Sequence, residues 1–259
     1  MTRLRALLWD VDGTLAETER DGHRVAFNQA FEALALPWRW DEARYGELLR
    51  ITGGRERLLH DMTTRGDAPP TAGEREALAR ELHALKNRRY GELVREARLP
   101  LRGGVRELID EAEDGGLRLA VATTTSRVNV EALMAVHFGP RWPRRFAAVV
   151  CGEDVQAKKP DPEVYRLALA GLGLPPQETV AIEDSPGGVA AACAAEIPVV
   201  VPLSAYFRAA TIEGAVAIGP GLDERRGWRP GLAGAGAGRV TLADIEGWCA
   251  ARDTVSQFG

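Results

Sequence analysis

Ala6-Leu7-Leu8-Trp9-Asp10-Val11-Asp12-Gly13-Thr14-Leu15 is the stretch from which the fold is read. Four apolar residues run straight into two aspartates, one residue apart, and then a glycine. A short apolar run of this kind suits a strand buried on both faces, as in a parallel sheet covered by helices. In an open α/β sheet, ligands bind beyond the carboxyl ends of the strands. Asp10 and Asp12 stand at such an end, and Gly13 permits the turn that lets their carboxylates converge. Like charges held close need a cation, and a hard Mg²⁺ accepts oxygen ligands. One carboxylate can then attack phosphorus while the other handles a proton.

Working outward, similar apolar runs recur at 117–122, 147–151, 179–182, 198–201 and, more weakly, 215–218, separated by helical patterns. Residues 163–172 and the Ala-rich 187–195 read as helices between strands. The predicted fold class is therefore α/β, with a Rossmann-like parallel sheet as its core. Residues 18–99 differ. They carry many charges, helical spacing (Val25, Ala30, Phe31, Leu34; then Leu78, Leu82, Leu85) and no convincing strand. They are expected to form an all-helical cap inserted into a core of residues 1–17 and 100–259, with a loop near 64–73. The Gly/Ala piece at 231–238 is expected as a flexible loop, and Thr241 as a helix N-cap.

Three further polar clusters follow predicted strands. Thr123-Thr124-Thr125-Ser126 offers hydroxyls and backbone N–H groups that can hold phosphate oxygens without adding charge. The same run also suits an N-cap for a helix starting near Val128, which is the competing role for Thr125 and Ser126. Lys158-Lys159-Pro160 supplies a compact cation that lets two anions approach. Glu183-Asp184 places adjacent acids where either can reach a metal. In the insertion, Thr52-Gly53-Gly54-Arg55 breaks a helical pattern, lets backbone approach a ligand and presents Arg55 towards it. A second phosphate on the substrate would explain Arg55, with Arg127 facing it from the core; a surface charge is the competing role for Arg127. Arg57 reads as a solvated helix charge.

The chain has 259 residues, 45% hydrophobic and 27% charged, with a formal net charge of −4. This is globular composition with no footprint for nucleic acid. Three scattered cysteines make neither a disulfide framework nor a zinc site. No run is long enough to span a membrane, and no signal peptide is expected, so a cytoplasmic monomer without membrane or nucleic-acid partners is the expectation.

Asp-x-Asp-Gly-Thr-Leu after the first strand resembles the first motif of the haloacid dehalogenase superfamily. The resemblance implies a nucleophile at Asp10 and a general acid/base at Asp12, and a phosphoryl-transfer rather than dehalogenase subclass. It also assigns the second motif to Thr123 and the third to Lys159, leaving Lys158 as a solvated neighbour. The fourth motif, Glu183-Asp184, implies Mg²⁺ bound by Asp184, with Glu183 as a ligand or water holder. A carboxylate oxygen of Asp10 and the backbone carbonyl of Asp12 complete the implied protein ligands. The insertion is similar to the cap of phosphoglucomutase-like members. In these an acid and a histidine near the cap entrance, here Glu17, Glu19 and His23, position the acid/base and contact substrate. Residues 17–23, 52–57, 122–126 and 158–160 together resemble the CbbY family. That resemblance implies a small phosphorylated sugar as partner, namely xylulose-1,5-bisphosphate, an inhibitor of Rubisco in the Calvin cycle. The alternatives are a sugar phosphate mutase and, from the acidic strand ends alone, a phospho-accepting signalling module. The region after Pro202 fits the family pattern poorly and is left unassigned.

Overall fold

The computed structural model describes residues 3–96, 99–231 and 237–256. Six parallel strands form one sheet: β1 (Ala6–Trp9), β2 (Arg118–Ala122), β3 (Ala148–Val150), β4 (Thr179–Ile182), β5 (Val199–Pro202) and β6 (Ala217–Gly219), in the order β3-β2-β1-β4-β5-β6. Side chains alternate across the pleat, so β1 sends Leu7 and Trp9 to one apolar cluster and Ala6 and Leu8 to the other. The first cluster lies under α5 (Val105–Asp114) and α6 (Arg127–Phe138), the second under α7 (Glu163–Leu172) and α8 (Pro186–Ala194). Burial on both faces explains why these strands read as unbroken apolar runs.

The insertion forms α1 (Arg24–Ala33), α2 (Glu42–Leu48), α3 (Gly54–Thr63) and the long α4 (Ala72–Arg95), entered through one π-helical turn at Glu19–His23. These helices close on an apolar cluster of their own, built from Phe27, Phe31, Trp40, Tyr45 and Leu82 among others. Their starts are set locally. The Asp41 carboxylate accepts the Arg44 N–H at 2.7 Å, and Thr71 with Glu74 makes a reciprocal capping box for α4. Two chain segments join this helical unit to the sheet, and they touch at an antiparallel bridge between Ala16 and Leu101.

The stretch after Pro202 adds β6 to the sheet edge and then α9 (Leu242–Ser256), which packs against α5. Trp228 is buried and stacked on Trp248 with ring centroids 4.7 Å apart. Thr241 caps α9 as expected, exchanging hydrogen bonds with Asp244. The expected Gly/Ala loop lies in part, at residues 232–236, outside the described residues.

Candidate active site

The ladder pairs Trp9 with both Val121 and Ile182, so β1, β2 and β4 end in register. The residues that leave the sheet next stay tied to a neighbouring strand. Asp10 N–H donates to Ile182 O at 3.1 Å, Thr123 N–H to Val150 O at 3.0 Å and Glu183 N–H to Val200 O at 3.1 Å. Backbone alone thus carries these residues to one edge. Asp10, Glu183 and Asp184 bring carboxylate oxygens within 4.8 Å of one another, all three buried. Lys159, 149 residues from Asp10 in the chain, reaches between them. Its Nζ donates to Asp10 Oδ1 at 2.7 Å, to Glu183 Oε1 at 2.5 Å and to Ala122 O at 2.9 Å. Gly13, at φ +85°, is needed here: a Cβ would lie 2.2 Å from Asp184 Oδ2.

Glu183 has both oxygens engaged by protein donors. Oε1 accepts from Lys159 and from the Tyr165 hydroxyl at 2.9 Å, and Oε2 from the Asp184 N–H at 3.1 Å. Its position is therefore first that of an anchor for Lys159. Burial, with Glu183 and Asp12 nearby, pushes the Asp10 carboxyl up to about 7 against the pull of Lys159. Burial, with Glu183 and Asp10 nearby, pushes Asp184 well above the usual carboxylate range. Lys159 moves the other way: although its burial disfavours charge, Asp10 and Glu183 hold it protonated. Asp10 and Glu183 thus share one ammonium, with the third buried carboxylate, Asp184, beside them. A hard dication beside Asp10 and Asp184 would relieve that imbalance, and the all-oxygen donor set fits Mg²⁺.

Asp12 stands apart from this cluster. Its Oδ1 accepts the Thr18 hydroxyl at 2.6 Å and lies 2.9 Å from His23 Nε2, whose ring stacks on Tyr90 at 4.3 Å. Burial opposes its charge, yet the His23 and Thr18 contacts hold its carboxyl well below the usual range. Asp10 and Asp12, two residues apart, are thus pushed in opposite directions by their surroundings.

A cavity of about 740 Å³ lies between the sheet edge and the cap, a size suited to a small ligand. Asp10, Asp12, Thr123, Lys159 and Asp184 line its core side, with Thr124, Thr125 and Ser126 beside them. Ser126 occupies the N-cap position of α6 without a side-chain capping bond, so its hydroxyl is not spent on the helix. Gly53, Gly54 and the exposed Arg55 line the cap side, as does Glu19, and Gly53 has φ +99°, which favours glycine.

Four expectations are corrected. Arg127 does not line the cavity: its guanidinium is paired with Asp154 and its N–H donates to Glu153 at 3.0 Å. Glu17 does not line it either; its carboxylate accepts the Ala205 N–H at 3.2 Å and lies 3.6 Å from Arg102. Lys158 is no solvated neighbour, because its Nζ donates to Glu56 Oε1 across the cap–core gap at 2.7 Å. Arg57 is buried rather than solvated, bonded to the Tyr45 hydroxyl at 2.7 Å and to Leu48 O at 3.1 Å. The Tyr45 hydroxyl in turn donates to Glu19 at 2.5 Å.

Sequence reasoning also missed cavity residues on α4 and α6. Lys86 is buried, with its Nζ 5.3 Å from the Phe27 ring centroid and 5.5 Å from that of Tyr90. No carboxylate lies within ion-pair distance among the described residues. Burial pushes its ammonium down to about 8, although Asp12 and Glu19 favour the charge. His83, one turn earlier, is pushed down to about 4 by burial and by Lys86. A signal was present: Ala79, Leu82, Lys86, Tyr90 and Leu93 are the buried stripe of α4, and a lysine interrupts it.

The sequence pattern of the haloacid dehalogenase-like hydrolases matches residues 4–196. Protein CbbY of Rhodobacter capsulatus is 47% identical over 205 residues, covering 79% of this chain and 88% of the relative. The crystal structure of CbbY from Rhodobacter sphaeroides in complex with phosphate is similar at a TM-score of 0.76. It is 44% identical and the match covers 82% of this chain and 92% of that one. A variant of the same Rhodobacter sphaeroides protein, in complex with xylulose-1,5-bisphosphate, matches at 43% identity and a TM-score of 0.76.

Proposed function

We propose, for a chain that belongs to the CbbY family of the haloacid dehalogenase-like hydrolases, that its reaction is hydrolysis of xylulose-1,5-bisphosphate through a phosphoaspartate on Asp10. That would make it a guard of Rubisco against this inhibitor. The observation that carries the reading is the placement of Lys159 between Asp10 and Glu183, with Asp184 adjacent, at the floor of a capped cavity. Such a floor favours an anionic group that arrives with a dication.

Asp10 Oδ2, free of Lys159, is the attacking atom, and Lys159 offsets charge on the phosphoryl oxygens. Thr123 and the N–H groups that follow it orient those oxygens. Asp10, Asp184 and the Asp12 backbone carbonyl would hold Mg²⁺, which would supply electrostatic stabilisation of the transferring group and favour the ionised form of Asp10. Asp12, ionised at rest, takes a proton from the water that cleaves the acyl phosphate, and that proton is the one delivered to the leaving sugar oxygen in the next turnover. His23 and Thr18 keep its carboxyl aimed. The cap excludes bulk water and supplies cations, Lys86 and Arg55, for the second phosphate.

Phosphate release with Mg²⁺ across sugar mono- and bisphosphates tests this. The expected result is a preference for xylulose-1,5-bisphosphate that disappears with a chelator and returns with Mg²⁺. A preference for monophosphates, or release unaffected by chelation, would overturn it.

A further inference from the structure

Asn129 sits in the first turn of α6, on the core side of the cavity, and is 2% exposed. Its Nδ2 donates across the seam to Asn87 Oδ1, on α4 of the cap, at 3.1 Å. Asn87 Oδ1 also takes a long contact, 3.4 Å, from Lys86 Nζ. An oxygen facing an ammonium is an acceptor, so Asn129 must turn its NH₂ to Asn87 and leave its carbonyl over. That Oδ1 is buried and has no partner among the described residues. A buried carbonyl without a donor is costly, and such an orphan beside a cavity calls for a ligand donor. A phosphate dianion has no proton to offer and would be repelled; a sugar hydroxyl fits.

We propose that Asn129 is a specificity-determining residue whose Oδ1 accepts a hydrogen bond from a hydroxyl of the sugar chain between the two phosphates. The inference rests on the sugar-bisphosphate reading above. Asn87 holds the amide in its reading orientation, so the hydroxyl is read only when cap and core are together. A substrate lacking that hydroxyl leaves the carbonyl unpaired, which is how polar sites reject deoxy analogues.

The test uses the full chain with Mg²⁺, as wild type, Asn129→Leu and Asn129→Ser, and follows phosphate release. For each protein the ratio of kcat/KM for xylulose-1,5-bisphosphate to that for acetyl phosphate, which carries no hydroxyl, is measured. The expected ratio falls about 30-fold or more in Asn129→Leu. In parallel, wild type is assayed on monodeoxy xylulose bisphosphates, which needs no variant to fold. One of them should lose about tenfold or more in wild type and lose no further in Asn129→Ser. An unchanged ratio, or wild-type indifference to every deoxy analogue, overturns the inference alone. A wild type that hydrolyses acetyl phosphate but not the bisphosphate removes the substrate reading and this inference together.

Discussion

The two walls of the cavity are built on different principles. On the core wall, Asp10, Thr123 and Asp184 stand at the ends of adjacent parallel strands in register, and backbone hydrogen bonds from Asp10, Thr123 and Glu183 place them. On the cap wall, Arg55, His83 and Lys86 sit on helices, and their positions depend on how α3 and α4 pack. The difference suggests a division of labour: chemistry on the rigid ladder, recognition on the part that can be repacked.

The strongest way to break this contrast is a single substitution on each wall. Asp10→Asn should lower phosphate release by about 10⁴-fold or more while the far-UV circular dichroism stays unchanged, since it removes the nucleophile. Lys86→Met should cost about 10- to 100-fold in kcat/KM for a bisphosphate, as loss of one charged contact does. If the two losses match, the walls do not differ in kind. Lys86 also gives the contrast a pH signature. Its ammonium titrates near 8, so the cation is present below that pH and lost above it. In wild type, kcat/KM for the bisphosphate should therefore fall as pH rises through about 8, and that limb should be absent in Lys86→Met. A limb that persists in the variant assigns the titration elsewhere.

The seam between the walls can be probed at the Lys158–Glu56 pair, which joins the cap to the residue beside Lys159. Glu56→Gln should raise KM about two- to fivefold with a smaller change in kcat, as expected for a partly exposed pair. An equal fall in kcat and kcat/KM would mean the pair acts on the chemistry.

The legibility of the molecule follows the same line. Strand runs such as 198–201 are apolar on both faces, and polar residues directly after such a run are conspicuous, so Asp10, Thr123 and the Glu183-Asp184 pair could be found, whereas Lys159, well past β3, was singled out by the family motif. Helical residues give less warning. Arg57 and Lys86 look like ordinary helix charges until their burial is known, and Arg127 looks equally suited to a ligand or to Asp154. Glu17 was placed near the entrance correctly in chain order, but its carboxylate is taken by Ala205, a residue 188 positions away. No local pattern contains that partner. The sixth strand was legible only weakly, as the run 215–218 that overlaps β6, and the Trp228–Trp248 stack was hidden, because its partners lie far apart in the chain with no periodic pattern between them.

A further prediction concerns the cap's integrity alone. Asp61 is buried and accepts from Trp40 at 2.8 Å, Arg44 at 2.6 Å and Arg65 at 2.7 Å. Burial opposes its charge, but these donors hold its carboxyl below the usual range. Its stabilisation is therefore full above about pH 4, the range in which an unfolded aspartate ionises, and is lost as pH falls through the folded value. Asp61→Asn should destabilise by about 1–3 kcal/mol in urea denaturation at pH 7, and by less at pH 3. A loss independent of pH would argue that packing, not charge, is what Asp61 provides.

The bridge between Ala16 and Leu101 has one more implication. Because both connecting segments meet at that point, the chain enters and leaves the helical unit side by side, and the rest of the seam is held by side chains such as Asn87 with Asn129 and Glu56 with Lys158.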